Sequence, residues 1–79
     1  MKYKYFKKGD FIYIESADYL IEIDFSLYHL TEQVEFTVKV KVSISINWML
    51  NAKELSFERF MTFYRKAKKK NPFIPDLFI

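Results

Sequence analysis

The chain has 79 residues, a net charge of +3, 51% apolar and 20% aromatic side chains, and no cysteine. That length holds one domain, residues 1–79, and its aromatic content argues against disorder. Without cysteine there is no disulfide, thiolate, iron–sulfur or cysteine-zinc chemistry, and an unstapled small domain is expected in the cytoplasm, the host cytoplasm if a phage encodes it.

Charge is unevenly placed. From Asp10 to Glu35 there are seven acids and no Lys or Arg, whereas Arg59 to Lys70 carries six bases and no acid. No apolar stretch follows Met1-Lys2-Tyr3-Lys4-Tyr5, so neither a signal peptide nor a membrane partner is expected. Phe, Tyr, Met, Ile, Asn and Lys make up 40 residues, and Gly, Ala, Arg and Pro only 8. This skew points to an AT-rich coding sequence of the kind found in low-GC bacteria, their phages and plasmids, or some archaeal viruses.

In chain order, residues 2–8 are expected as a first strand, whose lysines suit a sheet edge. Lys8-Gly9-Asp10 is a turn signal containing the only glycine. A second strand covers residues 11–16, and a turn at Ala17-Asp18 sets Ile14 against Ile21 and Ile12 against Ile23. A third strand covers residues 19–30, with Tyr19, Ile21, Ile23, Phe25 and Leu27 toward the core. A fourth covers residues 33–48, where Val34, Phe36, Val38, Val40, Val42, Ile44, Ile46 and Trp48 alternate with polar residues. A hairpin tip at Thr31-Glu32 sets Leu27 opposite Phe36 and Ile23 opposite Val40, and pairs Glu22 with Lys41 and Asp24 with Lys39 across the other face.

The helix is expected at about residues 54–70, capped from Asn51 and Glu54 or from Ser56. Phe57, Phe60, Met61, Tyr64 and Ala67 form its apolar face, and Asn71-Pro72 ends it. The tail, residues 71–79, is too apolar to lie free in water. The whole is an α+β fold: a four-stranded antiparallel meander packed against one C-terminal helix. A helix of about 22 Å cannot cover a strand of about 50 Å. A strongly coiled sheet, a homodimer or a docked partner would each resolve the mismatch.

Catalysis finds little support. His29, the only imidazole, is expected at the hairpin tip on the core face with no carboxylate to orient it. Glu22 and Asp24 could ligate Mg²⁺, but Lys39 and Lys41 account for them better. One histidine and no cysteine leave no basis for a transition-metal site, and no cofactor is expected. Two surfaces stand out. Phe6, Phe11, Tyr13 and Leu20 fall together on the face away from the helix and are expected to anchor a protein partner. Arg59, Arg65, Lys66, Lys69 and Lys70 line the outer side of the helix, where Lys2, Lys4, Lys7 and Lys8 could extend them, and suit nucleic acid. The leading expectation is a non-enzymatic protein-binding module, an inhibitor or adaptor encoded by a phage or mobile element. The alternative is a nucleic-acid-binding protein using the basic helix.

Overall fold

The computed structural model describes residues 3–40, 47 and 50–76. Its five-stranded antiparallel sheet has the order β4-β3-β2-β1-β5 and carries one long C-terminal helix. The strands are β1 (Lys4–Lys8), β2 (Phe11–Glu15), β3 (Tyr19–Asp24), β4 (Glu35–Val40) and β5 (Lys53–Leu55); the helices are a single turn, α1 (Tyr28–Thr31), and α2 (Phe57–Lys70).

The β1–β2 hairpin closes through Gly9 and Asp10, with Lys8 opposite Phe11. Gly9 has φ +58°, a conformation that costs glycine least. The β2–β3 register is as expected: Ile12 opposes Ile23 and Ile14 opposes Ile21. Ser16 fixes that turn, because its Oγ accepts the Tyr19 N–H at 3.1 Å while its own N–H donates to Tyr19 O at 3.0 Å.

The third strand ends six residues earlier than expected, at Asp24 rather than residue 30. Asp24 Oδ1 accepts the Ser26 N–H at 2.7 Å, a local bond that bends the chain out of the sheet. Residues 28–31 then coil into α1, which Glu32 ends in the left-handed region at φ 56°. The turn consumes length, so β4 pairs four residues out of the expected register: Ile23 faces Phe36 instead of Val40, and Ile21 faces Val38. An even slip preserves both faces, which is why the alternation still holds. The expected Lys39–Asp24 pair becomes a diagonal Lys39–Glu22 ion pair at 3.3 Å. The Lys41 partner and the core positions Val42, Ile44, Ile46 and Trp48 lie outside the described residues.

The first strand is not an edge. β5 pairs with its outer side, setting Tyr5 opposite Leu55 and Lys7 opposite Lys53. Residues 53–55, close to the expected helix start, are therefore strand. α2 begins after Ser56, whose Oγ accepts the Arg59 N–H at 3.3 Å. Glu58 in the first turn and Lys68, Lys69 and Lys70 in the last complement the helix dipole.

The main core lies between sheet and helix. Ile12, Ile14, Ile21, Ile23 and Leu55 meet Phe60, Tyr64 and Ala67 of α2, with Val34 and Ile74 closing the side. Tyr5 stacks on Phe60 at 4.2 Å between ring centroids. The described part of the tail takes this helix side. Ile74 is buried in the core, Tyr64 donates to Pro75 O, Lys68 donates to Ile74 O and pairs with Asp76 at 2.8 Å, and Asn71 Nδ2 donates to Val34 O at 2.8 Å.

Candidate nucleic-acid interface

The two expected surfaces fare differently. Phe6, Tyr13 and Leu20 do come together on the sheet face away from α2, but as a second buried cluster against which Phe11 and Ala52 pack. All three are under a tenth exposed, which overturns the exposure that made them candidate anchors. Only Phe11 keeps partial access. Alternation correctly assigns these residues to that face but says nothing of what else lies there.

Tyr13 also has a polar end. Its phenol lies opposite Glu22, donates to that carboxylate, and is held above the ordinary phenol range by burial first and by the negative charges of Glu22 and Asp24 next. Glu22 thus serves Tyr13 and Lys39, while Asp24 serves the Ser26 turn, so both carboxylates of the candidate Mg²⁺ pair have protein partners. Among the described residues, no group of three or more His, Asp or Glu side chains could hold a metal ion.

His29 is not on the core face. It sits exposed in α1, edge-on to Tyr28. It borders a small crevice with Lys7, Gly9, Asp10, Phe25 and Phe63.

The basic face of α2 is exposed as expected. Phe60, Tyr64 and Ala67 point inward, and helical spacing turns Arg59, Arg65, Lys66, Lys69 and Lys70 outward, with Glu58 the only acid on the helix. All five cations are exposed. Lys70 pairs with Glu32 at 3.3 Å and Lys66 lies over the Tyr28 ring at 4.4 Å, a cation–π contact. Arg59, Arg65 and Lys69 form no ion pair among the described residues. A trough of about 610 Å³ along the helix is lined by Met61 and Tyr64 and rimmed by Arg65, Lys66, Lys68 and Lys69.

A second basic feature escapes sequence reasoning. Lys7, Lys53 and Arg59 line one cleft of about 420 Å³ with Glu54, Gly9 and Asn51. Lys7 and Lys53 are direct cross-strand partners, an arrangement that like charges disfavour. The cleft shares Lys7 and Gly9 with the His29 crevice, so the two adjoin. No sequence signal marks it, because β5 is only three residues long and carries no alternation to read. By contrast Lys4 and Lys8 alternate with Lys7 and fall on the opposite sheet face, away from the stripe they were expected to extend; Lys2 lies outside the described residues.

No family model, curated protein or solved structure matches the chain. Among the described residues no helix is long and apolar enough to cross a membrane.

Proposed function

We infer that the chain binds nucleic acid through the outer face of α2. One observation carries this reading: five exposed cations on a single helix face, three of them without an ion-pair partner among the described residues. Arg59 and Lys70 stand about 16 Å apart along the helix at 1.5 Å per residue, roughly the rise of five nucleotides at 3.4 Å each. The trough beside the cations gives sugars and bases an apolar wall, and the Lys7–Lys53–Arg59 cleft adds phosphate contacts at the N-terminal end. These contacts read backbone charge and not base edges, so the expected affinity is sequence-tolerant and carried by counterion release.

The test is fluorescence anisotropy with labelled single- and double-stranded oligonucleotides across a salt series. Three to five phosphate contacts give a slope of log K against log salt of about −3 to −4.5 for a duplex. The triple variant Lys66→Glu, Lys69→Glu, Lys70→Glu should abolish binding while keeping the circular dichroism of the native chain. No binding by the native chain at low salt, or binding that the triple variant retains, refutes the reading.

The inhibitor-or-adaptor reading rests on compactness, missing catalytic groups, AT-rich composition and outward-facing apolar residues, and of its four anchors only Phe11 keeps access.

A further inference from the structure

We propose that the cleft between β1, β5 and the start of α2 is a receptor for a terminal phosphate monoester, so that a strand lying on α2 is held by its phosphorylated end. The receptor stands on the cleft alone, whereas the strand rests on the nucleic-acid reading above.

Three elements each send one cation to the cleft: Lys7 from β1, Lys53 from β5 and Arg59 from α2. Register fixes the first two. Lys7 and Lys53 are direct partners, two residues along from the Tyr5–Leu55 pair, so they share its face, the one that packs on Phe60. Directly opposed side chains have Cβ atoms about 4.5–5.5 Å apart, and like charges so placed are destabilising. No acid offsets that cost, because Lys7, Lys53 and Arg59 form no ion pair among the described residues. The acids nearest in sequence are placed elsewhere. Glu54 alternates with Lys53 and stands opposite Phe6, on the other face of the sheet. Asp10 borders the adjoining His29 crevice and does not line the cleft. Glu58 is turned about 100° from Arg59 around α2 and does not line it either. Lys7 is anchored as well: its Nζ donates to Gly9 O at 2.8 Å, which leaves two of the three N–H groups of an ammonium for a ligand.

Charge selects the ligand. An internal phosphodiester brings one negative charge, which a single lysine of the outer stripe can meet. A terminal monoester carries about −1.5 to −2 at neutral pH and presents three strong acceptor oxygens. Three converging cations, one of them a guanidinium that engages two oxygens at once, match the monoester better. A dianion between Lys7 and Lys53 replaces their mutual repulsion with attraction to a shared partner, and that gain grows with the charge of the ligand. The cleft, at about 420 Å³, also has room for the sugar behind the phosphate. The strand then leaves past Arg59 toward Lys66, Lys69 and Lys70, with its phosphorylated end fixed at the N-terminal end of α2.

Three oligonucleotides of one sequence, each with an internal fluorophore, test this by anisotropy at a single salt concentration. One is phosphorylated at its 5′ end, one at its 3′ end, and one has a hydroxyl at both. One of the phosphorylated strands should bind about tenfold tighter than the hydroxyl strand. Lys53→Gln and Arg59→Gln, each checked for folding by circular dichroism, should weaken all three and bring that ratio close to one. Equal affinity of the native chain for the three strands, or a ratio that both variants keep, overturns the strand-end claim. The receptor is tested separately with thymidine 5′-monophosphate, which should shift the amides of Gly9, Lys53 and Arg59 where thymidine does not. The triple variant Lys66→Glu, Lys69→Glu, Lys70→Glu should keep this response after losing the oligonucleotides. A monophosphate that moves none of these amides, or moves them no more than thymidine, overturns the receptor. A monophosphate response with no binding of any strand upholds the receptor and refutes the nucleic-acid reading instead.

Discussion

Tyr13 shows how much one side chain can carry here. Its ring fills the second cluster beside Phe6 and Leu20, and its hydroxyl donates to Glu22. Burial and the two carboxylates raise its pKa in the folded chain. The neutral phenol therefore stabilises the fold fully below the unfolded value of about 10, and that contribution disappears as pH climbs through the higher folded value. Tyr13→Phe keeps the ring but removes the bond, so it should cost about 1 kcal/mol near neutrality. It should also flatten the loss of stability above about pH 10. Tyr5, whose pKa is likewise raised, mainly by burial, remains in the variant, so the decline shrinks without vanishing. Urea melts of both proteins across alkaline pH check this, and an unchanged alkaline decline would count against the Tyr13–Glu22 bond. The sequence shows Tyr13 on its face but not the bond, because the bond depends on a register that a turn must set.

At the scale of elements, legibility follows the turns. The two-residue link through Ala17 and Asp18 leaves no slack, so the β2–β3 pairing can be written from the sequence residue by residue. The link from Asp24 to Glu35 has slack. An Asx bond and a helical turn take it up, and the alternation of Phe25 and Leu27 reads as strand although Ser26 and Leu27 already form a turn. The helix core positions are legible because Phe60, Tyr64 and Ala67 repeat at helical spacing. β5 is not, since three residues carry too little pattern to register. The tail is partly legible: its apolar character demands burial, and Ile74 supplies it. Ile74→Ala should cost about 2–4 kcal/mol through the cavity it leaves. For a chain of this size, with a total stability of about 4–12 kcal/mol, that is a large share. Phe73→Ala, at a side chain 85% exposed, should change stability by less than about 0.5 kcal/mol. The difference in urea midpoint between these neighbours measures how firmly the tail is clamped, and equal midpoints would contradict the clamp.

For the whole molecule, the sheet divides the work. One face buries the main core under α2, the other buries the Phe6–Tyr13–Leu20 cluster, and charge collects on the outside of the helix. Of the two surfaces visible in the sequence, the basic one survives folding because lysine and arginine resist burial. The aromatic one does not, since apolar side chains gathered on one face are drawn out of water by whatever can cover them. The proposed site is therefore legible in its α2 half and not in the Lys7–Lys53 half, which exists only because β5 closes beside β1. Function then turns on whether the cationic face receives a ligand or only water. An amide chemical-shift map of the ¹⁵N-labelled chain, titrated with an oligonucleotide at low salt, answers that most directly. Shifts concentrated between Arg59 and Lys70, with satellites at Lys7 and Lys53, are the expected result. A map that stays unmoved there, or moves only along Glu35–Val40, contradicts a nucleic-acid role for α2.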